Sequence, residues 1–154
     1  MSFDPDVFLS TQVNAQLDTR LVPCPEGSYL AMIESFKPRI TTNKETGQEY
    51  LIMDIQWLID DQKAKEGAGR DKVMVRQSIF IDRTPQGTLD ISKGKNVQLG
   101  RLREAVGQNI AGQPWAPSML TGQVARVKVT HQIDKDTGDR YDRVVAVTNR
   151  NEAA

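Results

Sequence analysis

KETGQEY at residues 44–50 returns as KDTGDRY at residues 135–141, ninety-one positions further along a chain of 154. In each copy a short polar residue, Asn43 or Asp134, stands just before the lysine. A glycine, Gly47 or Gly138, supplies the left-handed backbone position that a tight hairpin turn demands. Tyr50 and Tyr141 then open apolar-rich runs, where a strand favours an aromatic residue. Both copies read as β-hairpin turns. Their outer flanks do not match, so a good hairpin sequence used twice explains the repeat as well as duplication does.

Working outward, SYLAMIESFK (28–37) predicts a strand that Pro38 interrupts. YLIMDIQWLID (50–60) alternates, with Leu51, Met53, Ile55, Trp57 and Ile59 on one face and Ile52, Asp54 and Gln56 on the other. DDQKAKEGAGRDK (60–72) predicts an exposed loop in which Asp60 and Asp61 are solvated. VMVRQSIFID (73–82) predicts a third strand, with Val73, Val75, Ile79 and Ile81 inward and Gln77 as an exception. RTPQG (83–87) follows as a turn.

Residues 96–106 predict a helix whose stripe is Leu99, Leu102 and Val106, with Asn96 as N-cap and Gly107 just past the end. Gly100 costs that helix about 1 kcal/mol against alanine, which predicts a close packing contact there. A Pro/Gly-punctuated connection carrying Trp115 (110–122) leads to QVARVKVTHQI (123–133), with Ala125, Val127, Val129 and Ile133 inward. YDRVVAVTN (141–149) is the last strand. Residues 1–26 predict an arm with one short helical turn, and residues 27–150 the domain itself.

Composition narrows the classes. A length of 154 residues fits one core and crowds two. No apolar run reaches the ~20 residues of a bilayer span. MSFDPDVFLS lacks the basic start of a secretory signal, so the expected location is the cytoplasm, that of a bacterial host if the chain is phage-encoded. The single Cys24 and single His131, far apart in sequence, predict a loop thiol and a strand histidine rather than a metal site or a nucleophile pair. Net charge is zero, yet residues 1–68 hold 6 Lys/Arg against 11 Asp/Glu and residues 69–154 hold 14 against 9, a split that can present a basic face.

Five strands with a helix between the third and fourth is the order of the oligonucleotide/oligosaccharide-binding (OB) fold. That is a mainly β, five-stranded Greek-key barrel whose ligands lie across strands two and three, between the 1–2 and 4–5 loops. The repeated heptapeptide builds those two loops, so the repeats are expected to be the jaws of a cleft.

VRQSIFID (75–82), KGKNVQLGRLREAVGQ (93–108), Trp115, MLTGQVARVKV (119–129) and DKDTGDRYDRV (134–144) together resemble phage and prophage OB-fold proteins of the single-stranded-DNA-binding type. The likeness spans about residues 27–150 as a pattern of apolar spacing and turns. It implies a non-catalytic protein of phage DNA replication or recombination with single-stranded DNA as ligand and no cofactor, metal or membrane. It leaves open a homo-oligomer and contacts with replication or recombination proteins.

Such binding needs cations along the backbone path and aromatic faces for stacking. The first loop region offers Phe36, Lys37, Arg39, Lys44 and Tyr50. Strand three offers Arg76 and Phe80, and strand four Arg126 and Lys128. The second loop offers Lys135, Arg140, Tyr141 and Arg143. Glu45, Glu49, Asp136 and Asp139 in the same loops predict moderate, salt-sensitive affinity.

SKGKN (92–96) opens a helix after a strand, but six residues separate Gly87 from Gly94 and Asn96 replaces the hydroxyl residue, so it is no nucleotide-binding P-loop. Lys93 and Lys95 at a helix start can still hold a phosphate. No nucleophile–base–orienter set stands out, which argues against an enzyme. The alternative is an OB-fold interaction module or phage structural adaptor without nucleic-acid binding.

Overall fold

A computed structural model describes residues 3–152; Met1 and Ser2 of the expected arm lie outside the described residues. Five strands form one antiparallel sheet in the order β3-β2-β1-β4-β5: β1 Gly27–Thr42, β2 Glu49–Ile59, β3 Met74–Ile81, β4 Val124–Ile133 and β5 Arg140–Thr148. The period-2 alternation builds the core. Ile55, Trp57, Ile59, Val75, Ile79, Val127 and Val129 all point inward and are almost fully buried. Each such side chain gains about 1.5–3 kcal/mol by leaving water.

β1 is the central strand and runs straight through Pro38, which faces Met53 on β2. The expected break at Pro38 does not occur because β4 pairs only with Gly27–Met32. Ile33 still bonds to Gly122 and Gln123 just ahead of β4; beyond it β1 has a free edge, where a proline costs no bond to β4. A register shift between Ile33 and Ser35 marks the place where the long β1–β2 hairpin leaves the rest of the sheet.

β3 and β5 are the sheet edges. They come within 8 Å in Cα position without a hydrogen-bonded ladder, so the sheet curls and stays open there. Helix α3 (Val97–Ala105) packs against both edges and buries Leu99, Leu102 and Ala105. Ala105 rather than Val106 completes the stripe, and Val106 is only partly buried.

Gly107 takes the left-handed turn after the helix, at φ 74°. Asn96 stands at the N-cap position, but its side chain does not cap. The residue is itself left-handed at φ 53°, and its amide is drawn instead to Asp82 and Asp90. Gly100 has open space where a Cβ would point, so the close contact expected of it is absent. The tight glycine is Gly67, where a Cβ would collide with Pro25 Cγ.

Residues 60–72 are not simply a loop. Asp61 accepts from the Ala64 amide at 3.1 Å and caps α2 (Gln62–Ala68), which buries Ala64 and Ala68. Ile133 is 62% exposed, against its expected inward direction, since it lies at the root of the second hairpin, beyond the core-facing part of β4. Gln77 faces inward to accept the Trp57 indole N–H at 2.9 Å.

The arm has its one helical turn, α1 (Pro5–Leu9), with no buried residue. Cys24, however, is fully buried in the core cluster rather than an exposed loop thiol, so the domain takes in chain before residue 27. Among the described residues, no helix is long and apolar enough to cross a membrane.

Candidate nucleic-acid interface

The two repeats fold into the same loop, bond for bond. Asn43 Oδ1 accepts from the amides of Glu45 and Thr46 at 2.9 and 3.3 Å; Asp134 Oδ1 accepts from Asp136 and Thr137 at 2.8 and 3.1 Å. The threonine hydroxyl of each loop takes the amide two residues on at 3.3 Å. Gly47 and Gly138 each donate to the opening residue's carbonyl at 2.8 Å, with φ of 70° and 76°. Thus the small acceptor, the hydroxyl and the glycine of each motif all have structural work.

Beside the first loop, the outward rows of the sheet place Phe80 opposite Ile52, which faces Arg39; Ser78 opposite Asp54, which faces Lys37; and Arg76 opposite Gln56. Phe80 is 58% exposed, with the Tyr50 ring edge-on at 6.2 Å between centroids. Ile52 is buried among its neighbours on this outer face.

Asp54 draws Arg39 at 2.7 and 3.2 Å and the Ser78 hydroxyl at 2.6 Å. The Arg39 guanidinium, then Ser78, hold its carboxyl below the ordinary carboxylate range, and Arg39 is raised in return. Arg39 is therefore committed to a carboxylate. Arg76 has no ion pair among the described residues.

Between this face and the second loop runs an open groove of about 670 Å³. Gln56, Met74 and Arg76 form one wall, Arg140 and Tyr141 the other, and Arg20–Pro23 cross it as a strap. The strap is tied down at several points. Arg20 pairs with Asp139, Arg70 donates to the Val22 carbonyl at 2.6 Å, and the Cys24 amide donates to Asp142 at 2.7 Å. His131 Nε2 meets the Cys24 carbonyl at 2.6 Å, and its backbone N–H donates to Glu26 at 3.0 Å.

Four arginines and three aspartates line the groove, so the two signs of the chain intermix instead of forming a purely basic face. The aspartates are engaged internally: Asp139 by Arg20, Asp142 by Cys24, and Asp134 by its own loop. Arg76 and Arg140 are the cations of the groove with no such partner among the described residues.

Of the residues expected to act together, the fold gathers Arg76, Arg140 and Tyr141 on the groove and Tyr50, Phe80, Arg39 and Lys37 on the adjoining face. Phe36 lies opposite Ile55 and packs on the core, so its ring is no platform. Lys44 and Lys135 sit at the exposed loop tips.

Arg126 and Lys128 face Leu30 and Ser28 of β1. Nine residues of strand, roughly 30 Å, separate Leu30 from Arg39. Arg126 there donates to the Glu152 carbonyl at 3.0 Å. Arg143 is exposed opposite Thr130, away from the groove lining.

At the start of α3, Asp82 already accepts from the Asn96 amide at 2.9 Å, which weakens the phosphate reading of Lys93 and Lys95. The strap and Arg70 were not foreseen; the one signal was that Arg20 is the sole cation before Lys37. Among the described residues, no group of three or more His, Cys, Asp or Glu is placed to hold a metal. No protein-family model matches the chain, and no curated protein matches it in sequence.

Proposed function

We propose that the sheet is an OB-fold-type barrel that binds single-stranded DNA without chemistry. The strand order, the approach of β3 to β5 and the position of α3 across those edges support the fold reading. The observation that carries the function is the groove between the outer face of β2 and β3 and the second repeat loop; the first repeat loop, expected as the other jaw, lends no residue to its lining. Arg76 and Arg140 are free to meet phosphates there, and Tyr141, 43% exposed, and Phe80 are open to stack on bases. The intermixed aspartates argue for moderate affinity. A role in phage replication or recombination, in the host cytoplasm, rests on the resemblance alone.

Fluorescence anisotropy of a labelled oligothymidine, at low and physiological salt and with a duplex competitor, tests this reading. Saturable binding that weakens with salt and resists duplex supports it. No binding at roughly 20 mM salt, where screening is weak, overturns it. A second reading, a protein-docking module, is favoured by the exposed apolar residues of the arm, among them Phe3, Phe8, Leu9 and Leu17.

A further inference from the structure

α1 is a small, well-formed apolar knob. Asp4 accepts from the Asp6 amide at 2.9 Å, Pro5 fixes the first turn, and the Phe3 and Phe8 rings lie 6.0 Å apart. Yet Phe3 is 75% exposed, Phe8 61% and Leu9 80%. Each aromatic of this kind can remove roughly 150–250 Å² from water once seated. The segment also carries Asp4, Asp6 and Asp18, and no Lys or Arg precedes Arg20.

A second groove, about 420 Å³, opens on the outer side of β1 and β2. Leu30, Met32, Leu58 and Val124 make an apolar floor of half-buried side chains. Lys65, Lys72 and Arg150 stand on its rim with Asp60 and Asp71. Lys72 holds Glu34 at 3.0 Å, while Lys65 and Arg150 have no ion pair among the described residues. The volume lies within the ~300–1,000 Å³ of built pockets. The aromatic tip of the helix turn suits the apolar floor, and its aspartates suit Lys65 and Arg150, the two rim cations with no ion pair among the described residues, on a rim that Asp60 and Asp71 share.

In one molecule both halves stand unfilled. The strap pins the chain at Val22 and Cys24, and from there α1 leaves its own groove uncovered. We propose that α1 of one copy seats Phe3 and Phe8 in the Leu30/Leu58 groove of a second copy. The exchange is reciprocal about a two-fold axis, as a segment and slot present on every copy allow.

Mild oxidation of the full chain carrying Phe8→Cys and Leu58→Cys tests this directly. Native Cys24 is buried and does not compete. A covalent dimer on a non-reducing gel is expected, together with a concentration-dependent dimer of the native chain by sedimentation velocity that Phe3→Ala/Phe8→Ala abolishes. Both alanine sites are exposed, so folding is not at stake. A bridge within one chain, a native chain that stays monomeric to ~1 mM, or a dimer indifferent to the alanine pair would each overturn the proposal.

Discussion

Cys24 has no exposed surface, and its thiol is pushed up to about 11, chiefly by burial and then by the nearby Asp142 carboxylate. Its native value lies above the ordinary 9.0, so whatever stability the neutral thiol contributes is complete below that pH and is lost as pH rises through about 11. The loss is on the order of 2–3 kcal/mol. A urea titration series from pH 8 to 11 checks it, and a chromogenic disulfide reagent at pH 8 is expected to find no thiol until denaturant is added. Asp54 has the opposite sign. Its native value is lowered, so its contribution is complete above the unfolded value of about 3.9 and fades as pH falls through the lower native value. Gln77 is the partner of a buried indole. Gln77→Leu leaves the Trp57 N–H without an acceptor and is expected to cost about 1–3 kcal/mol in chemical denaturation.

Elements whose side chains alternate between core and solvent were legible in the sequence, and β2, β3 and most of β4 fell where the pattern put them. The hairpin turns were equally legible, since a left-handed glycine and a small acceptor leave a direct mark on sequence. Gly47→Ala and Gly138→Ala should each cost about 1–2 kcal/mol, because both sites need φ near +70°. Equal losses in thermal melts would show that the two loops carry the same strain. What stayed hidden depended on contacts distant in sequence. α2 has only seven residues, too few for a stripe, and its burial rests on two alanines. By sequence Gly67 reads as a loop residue, and only the fold sets Pro25 against it. Gly67→Ala is expected to destabilise by about 1–3 kcal/mol, whereas Gly100→Ala meets open space and should be neutral or stabilising. The candidate site divides the same way. Arg76, Phe80 and Tyr141 were visible on strand faces and loops, but which cations stayed unpaired followed from Asp54 and from the strap.

At the scale of the whole molecule, Arg76 and Arg140, which have no ion pair among the described residues, stand on opposite walls of the groove. On the proposed single-strand reading, Arg76→Ala and Tyr141→Ala are expected each to weaken oligothymidine binding by about 5- to 150-fold, equivalent to ~1–3 kcal/mol, while Arg126→Ala changes it little. With two or three phosphates met, the log–log salt slope should be about −1.4 to −2.1. Anisotropy titrations on the three variants read both quantities. The free edge of β1 has a further consequence, for solubility. From Glu34 to Thr42 the longest strand of the protein has no strand partner on that side among the described residues, and Ile40 on it is half exposed. An edge so long is a template on which another chain could add and grow a fibre. Pro38 interrupts that template midway, supplying no N–H and a ring where an incoming strand would lie. Replacing it with valine should leave the native fold intact and turn a clear, concentrated solution into one that slowly clouds and binds an amyloid dye.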